Sequence, residues 1–290
     1  MIMGISVHQK VMDELTRVKI QIDEKIGQGN FSEVYLGSRN KHKFAIKIQE
    51  KSTFERFQDL RGSRLKLTSE VETLSKLNHV RIISMFEWFQ TETCICLISE
   101  WMCGGDLLQA LLNEIYNTED DKRRIFIEIC EGLMYLHHEG FIHRDLKPEN
   151  CLLTSKNPET AHLKIADVGL TIKVNGHGEC RTFCGSLMYM APEIFKYKQK
   201  TGLHLSGYGF GVDMWSLGVT LYILMSGEPP FEDNEFLEKQ ILLGRFEFDG
   251  AIWKCISTEC EDLVKGLMLV DHSARLTVEQ TCNDQWVRQT

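Results

Sequence analysis

Residues 143–150 read His-Arg-Asp-Leu-Lys-Pro-Glu-Asn, and the interpretation of the whole chain starts from this segment. It places an acid (Asp145), a cation (Lys147) and an amide (Asn150) close together. Phosphoryl transfer needs a carboxylate that accepts a hydroxyl proton, a cation that neutralises the moving group and a ligand for a metal ion. Taken singly, Asp145 is more typical of a turn residue and Asn150 of a cap than of catalytic residues. Other parts of the chain have to discriminate between these interpretations.

The composition indicates a soluble globular chain. With 290 residues, 43% hydrophobic and 26% charged, it can bury a substantial core in one domain or two. The formal net charge of −8 argues against nucleic acid as the main partner. The longest apolar run, 217–225, is far shorter than the roughly 20 residues of a membrane-spanning helix. We therefore expect neither nucleic acid nor membrane as a partner.

The ten cysteines contain no pair of CxxC units, so a zinc site is not expected. The start of the chain has no secretory leader pattern, which predicts an intracellular protein, cytoplasmic or nuclear, with mostly buried free thiols. Cys180 and Cys184 flank a predicted exposed loop. They are interpreted either as redox-sensitive or as ordinary thiols.

The first hundred residues change from a helical pattern to a strand pattern. Apolar residues in 7–18 follow helical spacing and predict a short amphipathic helix that docks on the body of the protein. Short apolar or alternating runs at 22–26, 32–37 and 43–48, separated by turns, predict strands joined by hairpins. The first turn carries Gly27 and Gly29, which either let backbone amides approach a polyphosphate or are simply turn residues.

Lys47 lies inside an apolar strand, where it faces either solvent or an anion. The next segment predicts a helix, and Glu70 lies near its apolar face while Glu72 points the opposite way. Glu70 is therefore the candidate partner of Lys47. That apolar face is defined by Leu67, Val71, Leu74 and Leu77.

Two more strands are predicted near 82–89 and 93–99, and the glycine pair at 104–105 then predicts a hinge. Helical periodicity dominates afterwards, with a helix at 120–138 and an apolar helix opening at Asp213. A hairpin is predicted around 152–165, followed by Asp167-Val168-Gly169.

In this order and combination, the segment 143–150, Lys47, Glu70, Gly29 and Asp167 resemble the catalytic domain of eukaryotic protein kinases. The resemblance covers about residues 22–287. It implies an α+β, two-lobed fold in which a nucleotide occupies a cleft between the lobes. The N-lobe, at about 22–99, would be a small antiparallel sheet with one key helix. A hinge at about 100–105 would lead to a larger, mostly helical C-lobe at about 106–287, and residues 1–21 would be an N-terminal extension.

The resemblance also implies roles for individual residues. Asp145 would accept the substrate proton, Lys147 would stabilise the γ-phosphoryl group, and Lys47 would bind the α- and β-phosphates. Asn150 and Asp167 would hold Mg²⁺. The implied nucleotide-site residues are Ile26, Gly27, Gly29, Val34, Ala45, Lys47, Glu70, Ser99, Glu100, Met102, Asp106, Glu149, Leu152 and Asp167.

The implied activity is ATP-dependent transfer to protein serine or threonine, since Lys147 accompanies that specificity in the family. The Cys-Gly-Ser segment at 184–186 and Trp286 are similar to the calcium/calmodulin-dependent and checkpoint kinase group. One departure is Val168, which stands where the family has phenylalanine. Together with Ser32 in place of a third glycine, it keeps open the alternative of a weakly active or inactive nucleotide-binding scaffold.

Thr182 occupies the position where the family is phosphorylated, by an activating kinase or by trans-autophosphorylation. A phosphate there would pair with Arg144, and the alternative is an unmodified surface threonine. Ser186 is expected to hydrogen-bond Asp145 and Lys147. The resemblance also predicts an apolar pocket beside the substrate hydroxyl, formed by Phe183, Leu187 and Met190.

Four further expectations follow from the resemblance and the pattern. Asp106 and Glu149 suggest protein substrates with a basic residue a few positions before the acceptor. Asp213 would brace the backbone of the 143–150 segment. Arg275 would pair with Glu193. The stretch between Glu193 and Asp213 contains three lysines and four glycines and is interpreted as a solvated loop, with a docking surface as the alternative.

Overall fold

The computed structural model describes residues 7–29, 32–55, 66–174, 180, 182–199 and 207–289. Residues 30–31 of the first glycine turn, Arg181, and residues 200–206 of the lysine- and glycine-containing stretch lie outside the described residues. The chain forms two compact units. The first falls within residues 1–78 and 83–102, and the second within residues 79–82 and 103–290.

The described residues of the first unit form an antiparallel sheet, two helices with known bounds and a helical stretch at 51–55. Its strands follow the order β1-β2-β3-β5-β4. The elements are helix α1 (Val7–Arg17), strands β1 (Gln21–Gln28), β2 (Ser32–Arg39) and β3 (His42–Glu50), helix α2 (Ser69–Leu74), and strands β4 (Met85–Gln90) and β5 (Cys94–Glu100).

Helix α1 covers one face of this sheet, which confirms the predicted docking of the N-terminal helix. Val11 and Leu15 are buried in a cluster with Ile46 and Ile48 of β3 and with alternate residues of β5. Because side chains alternate along a strand, Lys47 lies on the opposite face from Ile46 and Ile48. Lys47 therefore projects from the face of the sheet opposite to α1.

Two predicted elements are shorter than expected. Strand β4 begins at Met85, not near Ile82, because Ile82 makes a parallel bridge with Ile165 in the second unit. Helix α2 covers only Ser69–Leu74, so Leu67 and Leu77 of the predicted apolar face lie outside it.

The second unit is mostly helical, with two small sheets of order β6-β8-β9 and β7-β10. Its strands are β6 (Gly105–Asp106), β7 (Phe141–Ile142), β8 (Cys151–Leu153), β9 (Leu163–Ile165) and β10 (Ile172–Lys173). Its α-helices are α3 (Leu107–Leu112), α4 (Glu119–His138), α5 (Pro192–Gln199), α6 (Gly211–Ser226), α7 (Leu237–Leu243), α8 (Thr258–Leu267), α9 (Val278–Cys282) and α10 (Gln285–Arg288). Strands β8 and β9 form the hairpin predicted from the sequence.

Helix α6 is the central support of the second unit. Every residue from 212 to 225 is buried, and Trp215 stacks on Phe231 at 6.1 Å between ring centroids. The helix ends at Gly227, whose φ of 79° suits glycine, just before two prolines. Within the described part of the chain, no helix combines the length and apolar character that crossing a membrane requires.

Candidate active site

In the first unit, Lys47 and Glu70 form the ion pair predicted from the sequence. Lys47 Nζ lies 2.9 Å from Glu70 Oε1 and 2.8 Å from Oε2. Gln49, two residues further along the same strand face, donates from Nε2 to Glu70 Oε2 at 2.7 Å. The pair is largely buried, with 16% of the Lys47 side chain and 5% of the Glu70 side chain exposed. Sequence reasoning missed Gln49, although its i+2 spacing from Lys47 was a usable signal.

The glycine turn joins β1 and β2 beside this strand. Gly27 pairs with Val34, and Ile26 lies at a register shift with 43% of its surface exposed. The Gly29 amide donates to Ser32 O at 2.8 Å, and a Cβ on Gly29 would lie 2.6 Å from Ser32 Oγ. A side chain at Gly29 would therefore displace Ser32. The small size of Gly29 and Ser32 permits this close contact.

The expected adenine-binding residues follow at the end of β5. Ser99 pairs with Ala45 across the sheet and is buried, as is Met102. The Glu100 amide donates to Ser84 O at 3.0 Å, and its carboxylate accepts from the Ser84 amide at 2.7 Å. The Glu100 carbonyl accepts a hydrogen bond from Ser99 Oγ at 3.5 Å.

In the second unit, Asp213 braces the 143–150 segment as predicted. Its carboxylate accepts the amides of His143 and Arg144, both at 2.8 Å, and contacts His137 Nε2 at 2.9 Å. Burial opposes ionisation, but the hydrogen bond and charge of His137, helped by the Arg144 amide, lower the pKa of Asp213. Arg144 has a φ of 70°, an uncommon value for a residue with a Cβ. These two backbone hydrogen bonds help hold that conformation.

Asp145 lies at the centre of a hydrogen-bonded cluster. Its Oδ1 accepts the Ser186 amide at 2.8 Å, and its Oδ2 lies 3.2 Å from Lys147 Nζ. Asn150 Nδ2 donates to the Asp145 carbonyl at 2.7 Å and to Oδ2 at 3.2 Å. Lys147 Nζ also donates to Ser186 Oγ at 2.7 Å. Ser186 thus contacts both residues as predicted, using its amide for Asp145 and its hydroxyl for Lys147.

Asp167 is the second residue after the end of β9 at Ile165. The Ala166 amide donates to the Asn150 carbonyl at 2.8 Å, which ties the residue before Asp167 to this segment. Asp167 is exposed and has φ 54° and ψ 61°, the left-handed region that non-glycine residues rarely adopt. Val168, which follows it, is fully buried.

Asn150 and Asp167 carry oxygen atoms of the kind that hard divalent cations take as ligands. Nδ2 of Asn150 is used for Asp145, so its amide oxygen is the atom that can coordinate, and Asp167 contributes a carboxylate. No group of three or more acidic, histidine or cysteine side chains suited to a metal occurs among the described residues. Mg²⁺ usually takes its remaining ligands from phosphates and water, so two protein ligands suffice.

Asp106 and Glu149 have local partners in addition to any ligand. Asp106 Oδ1 caps helix α3 by accepting the Gln109 amide at 2.8 Å, and Asp106 pairs with Leu152 in the β6-β8 ladder. Tyr189 donates its hydroxyl to Glu149 Oε2 at 3.4 Å. Asp106 therefore contributes to helix stability, a role that the sequence analysis missed although Asp before a helix is a common signal.

The segment around Thr182 packs against Arg144. Arg144 Nη1 donates to Thr182 Oγ1 at 2.6 Å, and its Nε donates to Leu170 O at 2.5 Å. Gly185 has a φ of 105°, and a Cβ there would lie 2.6 Å from the Arg144 carbonyl. The glycine of the Cys-Gly-Ser segment thus permits a close approach to the 143–150 backbone.

The apolar residues of this segment separate into buried and exposed positions. Phe183 packs edge-on against Phe195 at 5.8 Å, and Met190 is buried, but Leu187 is 49% exposed. Cys180 and Cys184 are themselves buried, and Thr182 and Phe183 of the loop between them are partly exposed.

The thiols as a group behave as predicted. Seven of the ten cysteines are buried and all are free. Burial raises the pKa of Cys180 to about 11, which keeps the thiol protonated and favours the interpretation as an ordinary thiol.

Comparison with known proteins identifies the family. Residues 20–287 match the protein kinase domain family. This chain belongs to the protein kinase family. The kinase domain therefore has the two-lobed α+β fold that the sequence predicted, with a five-stranded antiparallel sheet in the first unit and mostly helices in the second.

The curated relatives are protein kinases. A Dictyostelium discoideum protein named "Probable serine/threonine-protein kinase fhkE" is 37% identical over 97% of this chain and 39% of its own length. Myosin light chain kinase A of the same organism is 36% identical over 96% of this chain and 90% of its own length. Calcium/calmodulin-dependent protein kinase type 1 of Caenorhabditis elegans is 33% identical over 93% and 75%. The kinase domain spans about two-fifths of the length of the first two matched relatives, at 39% and 44%.

Proposed function

We propose that this domain is a serine/threonine protein kinase that transfers the γ-phosphate of ATP to hydroxyl groups of proteins. The observation that carries the proposal is the cluster in which Asp145 contacts Lys147, Ser186 and Asn150. The names of the relatives and the lysine two residues after Asp145 support serine and threonine as acceptors. Nothing among the described contacts favours the inactive scaffold as an alternative.

In the proposed reaction, Asp145 orients the acceptor hydroxyl and takes its proton. The three hydrogen-bond donors around its carboxylate restrict its orientation. Lys147 places a positive charge beside Asp145, where it stabilises negative charge on the moving phosphoryl group. Such preorganised charges lower the barrier because they need no reorganisation when the reaction occurs.

Nucleotide binding is proposed for residues in both units. In the first unit, Lys47, positioned by Glu70, binds the α- and β-phosphates, and the glycine turn covers the phosphates with Ile26, Gly27, Gly29 and Val34. Ala45, Ser99, Glu100 and Met102 are proposed for the adenine. In the second unit, Leu152 is proposed as a further nucleotide-site residue, and Asp106 and Glu149 are proposed near the ribose or the substrate.

Mg²⁺ is the proposed metal cofactor, held by Asn150 and Asp167. The bound ion would neutralise charge on the phosphate oxygens. A hard cation with oxygen ligands matches the amide and carboxylate that these residues offer.

Two finer features are proposed for regulation and substrate choice. Phosphorylation of Thr182, by an activating kinase or in trans, would increase activity because a phosphate would add charge-assisted hydrogen bonds to Arg144.

Glu149 and Asp106 would favour substrates with a basic residue before the acceptor. Loss of that base from a peptide should lower kcat/KM, and an unchanged value would contradict this part of the proposal.

The activity is tested with radiolabelled ATP and a basic serine peptide. We expect the wild-type chain to phosphorylate the peptide on serine and Asp145→Asn to lower kcat by at least about 100-fold. The matched control is Asp262→Asn, the same substitution on an exposed side chain of α8 that pairs with Lys265. Transfer that persists unchanged in Asp145→Asn would contradict the assignment of the base.

A further inference from the structure

Tyr208 connects the segment after α5 to the segment that carries Thr182. Its backbone forms a two-way bridge with Cys180: the Cys180 amide donates to Tyr208 O at 2.8 Å, and the Tyr208 amide donates to Cys180 O at 3.0 Å. Its side chain is 4% exposed, and its hydroxyl donates to the backbone carbonyl of Thr182 at 2.5 Å. The sequence analysis placed this residue in a solvated loop, so its packing was not expected.

Two residues thus bind Thr182, one at its backbone carbonyl and one at its hydroxyl. Tyr208 binds its backbone carbonyl, and Arg144 Nη1 donates to its hydroxyl at 2.6 Å. Cys184 fills the space beside them, with Sγ 4.0 Å from both Thr182 Oγ1 and the Tyr208 hydroxyl. All of these contacts are made by the unmodified threonine. The hydrogen bond from Tyr208 does not involve the threonine hydroxyl. A phosphate on that hydroxyl would therefore not replace the hydrogen bond.

The same segment contacts the proposed base four residues later. The Ser186 amide donates to Asp145 Oδ1 at 2.8 Å, and Ser186 Oγ accepts from Lys147 at 2.7 Å. A short length of chain with one end fixed has few conformations, so holding Thr182 also restricts Ser186. The position of Ser186 in turn restricts the carboxylate of Asp145.

We propose that Tyr208 is a positioning residue that holds the Thr182–Ser186 segment in place while Thr182 is unmodified, so that the domain transfers phosphate without prior phosphorylation. This inference rests on the proposed kinase function. Phosphorylation of Thr182 then raises activity further, because it adds charge-assisted hydrogen bonds to Arg144 and makes the Tyr208 contact less important.

Two physical features suit Tyr208 to this role. A buried phenol is costly without a hydrogen-bond partner, and the Thr182 carbonyl supplies one. Burial also raises the pKa of the Tyr208 hydroxyl, so it remains protonated and continues to donate. Replacing tyrosine with phenylalanine removes this donor and leaves the ring in place.

The test compares Tyr208→Phe with the wild type in two states of Thr182. One state is unphosphorylated, prepared with a coexpressed phosphatase and verified by intact mass. The other carries phosphothreonine incorporated at position 182. The matched control is Tyr222→Phe, because Tyr222 is also buried and donates its hydroxyl to a backbone carbonyl, Glu247 O, at 2.8 Å. Peptide kcat/KM, the KM for ATP and the Tm are measured for each.

We expect the unphosphorylated wild type to transfer phosphate. The unphosphorylated Tyr208→Phe variant should lose about tenfold in peptide kcat/KM, which corresponds to the loss of one buried hydrogen bond. The KM for ATP should stay within about twofold, and phosphothreonine at 182 should restore most of the loss. Tyr222→Phe should show no such rescue, because a general loss of stability does not depend on the state of Thr182.

Three results would overturn the inference. The first is a wild type that is active only when Thr182 is phosphorylated, which leaves the proposed kinase function intact. The second is a Tyr208→Phe variant whose kcat/KM equals that of the wild type or follows that of Tyr222→Phe in both states. The third is an absence of transfer in both states of the wild type, which would also overturn the proposed function.

Discussion

The side-chain amide of Asn150 donates to both the carbonyl and the carboxylate of Asp145, at 2.7 and 3.2 Å. One side chain thereby restrains the proposed base and presents its amide oxygen for the proposed metal. Asp145 is only 8% exposed and Asn150 7%, so these hydrogen bonds are protected from competing water. The link explains why an amide suits position 150, since a carboxylate would repel Asp145.

Replacing Asn150 with alanine should impair both roles. We expect Asn150→Ala to lower kcat by at least about 100-fold and to raise the Mg²⁺ concentration for half-maximal activity, because a metal ligand and a restraint on the base are lost together. A Mg²⁺ titration of peptide phosphorylation measures this. Asn283→Ala is the control, since Asn283 is exposed and donates to the Glu279 carbonyl. An unchanged Mg²⁺ dependence would exclude Asn150 as a ligand.

The Glu70→Gln substitution tests whether Lys47 depends on its ion pair with Glu70 of α2. Removing the carboxylate charge weakens a charge-assisted hydrogen bond of about 1.5 to 3 kcal/mol, which corresponds to a loss of ~10- to ~100-fold in kcat/KM. Steady-state kinetics with varied ATP measure it. The control is Glu72→Gln on the same helix, whose carboxylate accepts a hydrogen bond from Thr68 on the exposed surface. Equal effects of the two substitutions would show that Lys47 does not depend on Glu70.

Gly185→Ala tests the close approach of the Cys-Gly-Ser segment to the 143–150 backbone. The added Cβ would meet the Arg144 carbonyl at 2.6 Å, and the φ of 105° disfavours any L side chain. We expect kcat/KM for peptide to fall about tenfold, the effect of ~1 to 2 kcal/mol of strain. Gly209→Ala is the control, because a Cβ there has no neighbour within 4 Å. Activity of Gly185→Ala within twofold of the control would contradict the prediction.

Asp213→Asn should destabilise the second unit, because an amide cannot accept both backbone N–H groups and His137 as a carboxylate does. We expect a loss of about 3 kcal/mol in the free energy of unfolding at pH 7. Urea unfolding of the variant and the wild type measures it, with Asp262→Asn as the surface control.

The pH dependence of that difference has a definite sign. The pKa of Asp213 is lowered in the folded chain. Its contribution to stability is therefore complete above the unfolded-state pKa of about 3.9 and decreases as the pH falls through the lower folded-state value. The difference between the wild type and Asp213→Asn should stay constant from about pH 5 to 8 and shrink below about 4. A difference that changes between pH 5 and 7 would contradict this assignment to Asp213.

Much of the site could be predicted because it depends on local sequence. The 143–150 segment and Asp167 carry their chemistry in short motifs, and helical periodicity alone favoured Glu70 over Glu72. Other features depend on contacts distant in sequence. Gln49 binds Glu70 across 21 residues, and Tyr208 binds Thr182 across 26.

The errors have the same origin. Ile82 looks like the start of a strand by its apolar neighbours, but its bridge to Ile165 removes it from the sheet. Tyr208 was interpreted as part of a solvated loop because lysines and glycines surround it, but it is buried and binds Cys180 and Thr182.

By itself, the amino-acid sequence determined the family, the α+β architecture and the identity of the charged residues proposed for phosphoryl transfer, because these depend on residue type and spacing. Only the tertiary structure decided which hydrogen bonds hold Asp145, which face of β3 presents Lys47, and how the unmodified Thr182 is restrained. Those features arise from packing and hydrogen bonding between segments far apart in the chain, and local propensities do not specify such pairings.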